Sequence, residues 1–436
     1  MSDSRVPRVV VVGAGFGGLE AARALAHAPV DVTLIDQQNH HCFQPLLYQV
    51  ATAALSPSDI AWPIRGILRR QSNVRVVLAM VVGIDRKLRL VRTDWKPVPY
   101  DYLVLATGAT HYHFGHDEWE RFAPGLKRIE DATRIRDRLL LAFERAELAT
   151  DQAQRLKQMT FVIVGGGPTG VEMAGAIAEV ATQTLRSDFR HIDPALSRIV
   201  LLEAGPRILP SFPPDLSAYA ERTLRRMGVE VRTSAKVTGV DADGVLLGDE
   251  RIDTATAVWA AGVIASPAAH WLDAPRDRNG RILVNEDLSV PGAADIFVIG
   301  DTAHVQRAGA GAVPGIAPAA KQMGRYVGRL IIAKISETPL PGPFIYHHAG
   351  DLATIGRRAA VVAINRIHLR GLLAWVFWSI AHIYFLIGVR NRFVVAFDWL
   401  WSYLTFQRGA RVIDNTPHKP IAAEHSGIKD TASTLH

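Results

Sequence analysis

One cysteine, Cys42, in 436 residues removes more chemistry than any other feature of this sequence. An internal disulfide, a Cys-x-x-Cys redox pair and a self-contained iron–sulfur cluster all need at least two thiols, so none is available. A lone cysteine in apolar surroundings reads as a small packed hydrophobe rather than a nucleophile. No long apolar run reaches the roughly 20 residues of a comfortable membrane span. The longest, residues 372–389, stops at 18. The chain enters its first strand by Arg8 after a short polar stretch, so no signal peptide is expected ahead of the fold. Basic and acidic residues nearly balance, at 49 against 42, with a formal net charge of +7. Neither a nucleic-acid partner nor a metal site is expected.

The chain is 48% hydrophobic, enough at this length for at least two cores, and two glycine-rich turns mark where they begin. Residues 9–12 are four valines, followed by Gly13, Ala14, Gly15, Phe16, Gly17 and Gly18 and then a helical run. Residues 161–164 are Phe-Val-Ile-Val, followed by Gly165, Gly166, Gly167, Pro168, Thr169 and Gly170 and then Val171 and Glu172. Each is a buried strand, a tight turn and a helix start, the context that makes a G-x-G-x-x-G credible. The glycines let the backbone approach a pyrophosphate, and the helix start supplies amide donors and dipole. Two such turns imply two bound dinucleotides. The fold class is therefore α/β, with two Rossmann-like dinucleotide-binding domains.

A Rossmann site reads the ribose with an acid at the end of its second strand. Asp36 ends the run Val32-Thr33-Leu34-Ile35, about twenty residues after the first turn. Glu203 ends Ile199-Val200-Leu201-Leu202 but lies further from its turn, because the charged, histidine-containing stretch 181–196 reads as an insertion. An acid here bonds two ribose hydroxyls and repels a 2′-phosphate, favouring NADH over NADPH, while the nearby Arg207 weakens that preference. The plainer alternative, that both acids only cap strand ends, stays open. Two more strands carry short signatures: 102–105 leads into Ala106, Thr107 and Gly108, and 295–299 leads into Gly300 and Asp301. Their order resembles the two-dinucleotide-binding flavoproteins. That resemblance implies FAD in the first site, with Asp301 on its ribityl chain, and NADH in the second, where Gly262 closes a weaker counterpart of Ala-Thr-Gly.

The expected organisation is an FAD-binding domain split between 1–112 and 274–340, around an NADH-binding domain at 113–273 with its lead-in helix. A C-terminal region, 341–414, opens with a small sheet and continues into aromatic helices, and 415–436 is expected to be a mobile polar tail. Residues 372–389 contain only Ser379 and His382 as strongly polar members. In the next helix, expected at 393–406, Asp398, Ser402 and Thr405 form a single polar stripe. Tryptophans and tyrosines crowd this region, and Arg370, Arg390, Arg392, Arg408 and Arg411 bracket it, suiting the headgroup layer of an anionic membrane. Two readings stand: a membrane-associating segment at 372–406, with a span through 372–389 as its minor form, and a buried dimer or domain interface. A homodimer is expected on either.

Taken in order, these motifs resemble one family, the type II NADH:quinone oxidoreductases, over nearly all of residues 8–413. The match includes the stretch 41–51 that begins His41, Cys42, Phe43, Gln44 and Pro45, the turn at 165–172, and Leu352-Ala353-Thr354-Ile355-Gly356-Arg357. The resemblance implies hydride transfer from NADH to FAD and two electrons onward to a membrane quinone, without ion pumping, at the cytoplasmic face of a membrane. Phe43, Gln44 and Pro45 would lie beside the isoalloxazine, with plain core packing as the alternative. Glu172 would lie on the nicotinamide side, although a first-turn glutamate also simply suits the helix dipole. The family's quinone-side pattern, Ala-Gln-x-Ala-x-Gln, appears here as Ala317, Pro318, Ala319, Ala320, Lys321 and Gln322. Pro318 thus removes one amide, leaving Gln322 as the remaining quinone-side donor, with Lys321 either substituting for the lost amide or pointing to solvent. Sequence alone leaves two rivals, a soluble flavoprotein reductase of ferredoxin or oxygen and a poorly catalytic NADH-sensing flavoprotein.

Overall fold

The computed structural model describes residues 5–307, 311–405 and 409–413. Strands Ser289–Val290, Ala293–Val298, Tyr102–Leu105, Arg8–Val12, Asp31–Asp36 and Val74–Leu78 lie side by side, in that order, in an outer sheet. All its pairings are parallel except that of the edge strand Ser289–Val290. A parallel sheet is covered on both faces, which is why its central strands are unbroken valine, leucine and isoleucine runs with no alternation. The inner sheet repeats the plan with Val229–Arg232, Arg198–Leu202, Thr160–Val164 and Thr256–Trp259, all parallel.

The chain leaves the outer sheet through Ala109–His111 and returns through Val263–Ala265, and these two crossings pair antiparallel as a waist. The outer layer is closed by helix Ala317–Ile335 lying on helix Phe16–Ala24. Two glycines allow that approach: a Cβ at Gly324 would stand 2.2 Å from the Gly17 carbonyl oxygen, and one at Gly328 2.4 Å from the Ala24 Cβ.

Beyond the waist, Asp351–Thr354, Ala360–Ile364 and Ile367–Gly371 form an antiparallel sheet that packs against helix Pro168–Glu179 of the inner layer. Gly175 sits in that contact, where a Cβ would come 3.0 Å from the Gly356 nitrogen. Helix Leu372–Phe385 follows, then helix Val389–Thr405. The first is 14 residues rather than 18 and about 21 Å long, so the expected marginal span disappears. It ends because Leu386 is extended and Gly388 turns the chain at φ +90°. Among the described residues no helix is long and apolar enough to cross a membrane. Helix Val389–Thr405 begins four residues before the expected start at 393, so Arg390 and Arg392 lie inside its first turn instead of bracketing it. The side chains of Ser402 and Thr405, Phe406, Arg408 and the expected tail at 415–436 fall outside the described residues.

The two helices are docked, not loose. Trp399 donates its Nε1–H to Gln49 Oε1 at 2.7 Å, and Gln49 in turn donates to the Tyr48 hydroxyl at 2.8 Å. Buried Asn391 donates to the Ser58 carbonyl at 3.3 Å. Trp378 is buried between the rings of His382 and Trp399, at 4.0 and 5.3 Å. The C-terminal pair thereby covers the loop that follows the second outer strand.

Gly388 is a point where this docking is testable. Its backbone is left-handed, and an added Cβ would come 2.8 Å from the Trp62 ring. Gly388→Ala is expected to cost about 1–3 kcal/mol from strain and contact together, lowering the thermal midpoint by several degrees. An unchanged midpoint would show that the turn is not the hinge on which the helix pair closes.

Candidate active site

The first glycine turn is shaped by what a side chain would strike. Gly13 has φ +98°, and a Cβ there would stand 2.3 Å from the Ala106 carbonyl oxygen; at Gly18 it would stand 1.8 Å from the Gly13 oxygen. Helix Phe16–Ala24 starts from Gly15 in extended conformation with no side-chain cap, so its first amides face outward unpaired. The second turn is built alike. Gly165 has φ +111° with its missing Cβ 2.5 Å from the Ala260 carbonyl carbon, Gly170 matches Gly18, and helix Pro168–Glu179 starts uncapped from Gly167. Two open cradles of amides, each at a helix N-terminus, fit two pyrophosphates.

The strand-end acids do the same thing in both halves. Asp36 accepts the N–H groups of Ala14 at 2.6 Å and Gln38 at 2.7 Å, and Glu203 accepts those of Gly166 at 2.7 Å and Gly205 at 2.6 Å. Each therefore pins its glycine loop to its strand end while keeping acceptor sites to spare, since a carboxylate has about four. The capping alternative is thus present in the geometry, and it is compatible with ribose binding. Burial pushes the Asp36 carboxyl above its ordinary value, with the two amides pulling it back down. Arg207 turns away from the nucleotide side, donating to the carbonyls of Phe212 and Pro210 and to the Ser217 hydroxyl at 2.7–2.8 Å. It weakens the charge rule at Glu203 less than its position in the sequence implies.

Ala106, Thr107 and Gly108 follow the strand that pairs with the first outer strand. The Thr107 hydroxyl meets Ser266 and Thr302, while Thr302 donates to the Gly108 carbonyl. Three chain crossings are thereby joined behind the first cradle. Gly300, at φ +69°, opens the turn that carries Asp301, and Gly315 faces the Asp301 carboxylate, which lies 3.1 Å from where its Cβ would be. Gly262 sits against Phe114 at the far side of the waist.

A third group of side chains lies between the first cradle and helix Leu372–Phe385. Phe16 meets His41 and Phe43 edge-on at 4.9 and 5.8 Å, and Phe43 meets His382 at 6.2 Å. Both histidines are held neutral, burial lowering each to about 4. Each has its Nδ1 on a carbonyl, His41 on Ala14 and His382 on Trp378, so Nδ1 carries the proton. The Lys321 ammonium lies 5.4 Å from the centre of the Phe16 ring and 5.0 Å from that of Phe385, and has no hydrogen-bond acceptor among the described residues. Burial pushes its pKa down from the ordinary lysine value. Gln44 points away, donating to the Lys127 carbonyl at 3.2 Å, and Pro45 starts a short turn.

Gln322 is engaged within the chain. Its amide is clasped by the backbone of His347, donating to that carbonyl at 2.8 Å and accepting its N–H at 3.0 Å. Pro318 occupies the first turn of its helix, where the missing N–H costs nothing. Glu172 lies beyond the first turn of helix Pro168–Glu179, so it does not cap the dipole; it is buried against the C-terminal sheet, with the Thr354 N–H 3.4 Å from its carboxylate. Burial raises its carboxyl to about 8, so it holds its proton at neutral pH. The sequence reading missed Ser266, Thr302 and Phe385. It noticed His382 as a polar residue on an apolar helix but assigned it no role. Cys42 is partly buried and its thiol is pushed up to about 12 by desolvation, which fits the packing role expected of it.

Residues 7–324 match the family model described as pyridine nucleotide-disulphide oxidoreductase, and residues 348–408 match that of the NDH2 C-terminal domain. The chain is 45% identical over 423 residues to the type II NADH:quinone oxidoreductase NdhA of Mycobacterium tuberculosis, covering 93% of this chain and 89% of that protein. It is 42% identical over 421 residues to Ndh of the same organism, described in the same words, at 93% and 90% coverage. Among solved structures, NDH2 from Plasmodium falciparum in complex with NADH superposes with a TM-score of 0.84 at 21% identity, over 94% of this chain and 100% of that one. That last likeness is one of fold.

Glu172 supplies a pH test. Its folded-state value, about 8, stands above the ordinary 4.5, so the folded protein binds this proton more tightly than the unfolded chain. The stability it contributes is full below 4.5 and is lost as pH rises through 8. Glu172→Gln cannot lose that proton. Thermal midpoints measured from pH 5 to 9 should show the variant gaining steadily on the parent. A difference that stays flat with pH would mean that the carboxyl is not raised.

Proposed function

The chain belongs to the type II NADH:quinone oxidoreductase family, and on that premise we infer how its own residues share out the reaction. It is an enzyme that oxidises NADH and reduces a quinone, with FAD as its cofactor. When bound, FAD would supply the redox chemistry, a hydride acceptor for NADH and a two-electron donor for the quinone. The cradle of Gly13, Gly15, Gly17 and Gly18, with Asp36 and Asp301, would hold FAD. The cradle of Gly165, Gly167 and Gly170, with Glu203, holds NADH, and the engagement of Arg207 elsewhere supports a preference over NADPH. The domain limits follow: 1–112 and 274–340 for FAD, 113–273 for NADH, and 341–414 for the C-terminal region.

The observation that carries the quinone side is Lys321. A charged donor without an acceptor, caged by Phe16 and Phe385 at an apolar opening, suits a neutral acceptor that presents a carbonyl oxygen. Phe43 and His382 line the same opening. Lys321 takes the place of the amide lost at Pro318, while Gln322 holds the loop at His347 in position. Protonated Glu172 is a proton source on the side facing the C-terminal sheet.

The C-terminal helices attach this opening to a membrane at its cytoplasmic face. Their docked side is buried, yet Leu373, Ile380, Tyr384, Phe393 and Phe397 are each more than 60% exposed. An apolar patch of this extent on a soluble chain marks an interaction surface. Lipid is favoured over a second copy because Arg390 and Arg392 stand in the same turn as Phe393, at the level where anionic headgroups would meet them. The attachment is monotopic. A homodimer through the same face is the competing arrangement.

Two experiments test this reading. In stopped flow with FAD-loaded protein, NADH and a water-soluble quinone, Lys321→Met should slow quinone-dependent reoxidation by about tenfold to a hundredfold, the worth of a hydrogen bond to a charged group. Reduction by NADH should be unaltered; slowed reduction with normal reoxidation would reverse the two sides. Ile380→Glu with Phe393→Glu should release the protein from anionic vesicles in a flotation assay while it still oxidises NADH. Full vesicle binding, with a dimer dissociating instead, would establish the second copy as occupant.

A further inference from the structure

Phe114 is the one aromatic residue held at positive φ, +54°, among the described residues. For a bulky residue that conformation is costly. Its ring meets Tyr112 at 5.1 Å and Trp259 edge-on at 6.2 Å, yet Phe114 remains 58% exposed, so burial offsets little of the cost. The segment around it is nevertheless firmly fixed. Tyr112 donates its N–H to the Gly262 carbonyl at 3.0 Å and accepts the Trp259 indole N–H at 2.9 Å. The His113 ring lies 4.9 Å from Trp259 and bonds the Ala123 carbonyl, and Gly115, at φ +91°, turns the chain away directly afterwards. A strained, exposed ring on a rigid mount points to a role outside folding.

Its position says which role. Phe114 packs on Gly262, where a Cβ would stand 3.0 Å from the Phe114 Cζ, and Ala260 and Ala261, just before it, abut Gly165 of the second cradle. The ring therefore lies outside the carboxyl end of strand Thr256–Trp259, where nucleotides bind in open parallel sheets. Glu203 ends the strand on the opposite side of Thr160–Val164. A dinucleotide crossing the cradle with its adenosine ribose at Glu203 has its nicotinamide half on the Trp259 side. That side also faces the waist, Ala109–His111 against Val263–Ala265, through which the chain reaches the FAD layer.

We propose that Phe114 is a positioning residue for NADH: its exposed ring packs against the nicotinamide-ribose half of the bound dinucleotide and fixes how the nicotinamide presents itself for hydride transfer. The inference rests on reading the second cradle as the NADH site. A flat apolar ring suits this task because it restrains the nucleotide without adding charge near the pyrophosphate, and the strained backbone keeps the ring aimed before substrate arrives.

The test uses the FAD-loaded full chain with Phe114→Ala and Phe114→Tyr. Phe114→Ala should weaken binding of NADH and of dihydronicotinamide mononucleotide, which lacks adenosine, by a similar factor of about two- to tenfold. It should also diminish the long-wavelength charge-transfer absorbance of NAD⁺ with the reduced flavin, and leave reoxidation by quinone unchanged. Phe114→Tyr should restore both. Unchanged affinity and absorbance in Phe114→Ala would overturn the proposal, as would a loss seen with NADH but not with the mononucleotide. Equal losses in the alanine and tyrosine variants would mark a scaffold role and overturn it too. Gly167→Asp checks the premise separately. Its Cβ meets nothing within 4 Å, so the variant should fold, keep FAD and reject NADH through its added charge. If that variant still binds NADH, the reading of the second cradle is wrong, and the proposal falls with it.

Discussion

Two helix starts whose first amides have no side-chain partner set the terms for the rest of this structure. An N-terminus left bare and shielded from water is costly, and an anion is what satisfies several amides at once. Every nearby choice serves that opening. Gly18 and Gly170 let the helix return within contact of Gly13 and Gly165, and positive φ at those two turns the amides outward. Asp36 and Glu203 then hold the loops from the strand side by the same pair of bonds in each half, so the cradle is fixed before any nucleotide enters. The matching geometry of the two halves follows from one physical requirement met twice.

The C-terminal helices obey the opposite economy. Their inner side is specified in detail, with Trp399 bonded to Gln49, Asn391 to Ser58 and Trp378 packed between two rings. Their outer side is largely apolar, with Leu373, Ile380, Tyr384, Phe393 and Phe397 exposed among the described residues. A helix pair held this firmly does not hide that surface by rearranging, and the proposed membrane attachment would cover it. The docking also brings the face to Phe43, so whatever covers the outer side lies close to the first cradle.

Much of this was legible in the sequence, and the remainder was not for identifiable reasons. The two sheets and their cradles follow from valine-rich runs that end in glycine turns, a pattern with few structural solutions. The acids at 36 and 203 were found by position, but their bonds to Ala14 and Gly166 depend on loop closure in three dimensions. The end of the first C-terminal helix was misplaced because hydropathy continues through Leu386 and Ile387, while the backbone is turned by Gly388 packing on Trp62. Gln322 matched a pattern one residue from Lys321, yet adjacent helical residues point about 100° apart. One faces the loop at His347 and the other the opening beside Phe16, and only coordinates separate them. His382 was visible as a polar exception on an apolar helix. Its neutral state follows from burial beside Trp378, which composition does not record.

The same residues define what kind of acceptor the opening can serve. With a single cysteine whose thiol is pushed up to about 12, no thiolate relay carries electrons away from the first cradle. The acceptor must therefore reach the flavin itself. On the proposed reading the acceptor comes in among Phe16, Phe43, Phe385 and two imidazoles that burial keeps uncharged, with Lys321 as the cation against the rings. A small apolar molecule with a polar oxygen is suited by rings that displace water and by an ammonium whose hydrogen bond becomes stronger as negative charge builds on the oxygen during reduction. Phe385 of the first C-terminal helix packs against the same ammonium, so on the proposed membrane attachment an acceptor dissolved in lipid would reach Lys321 without crossing water.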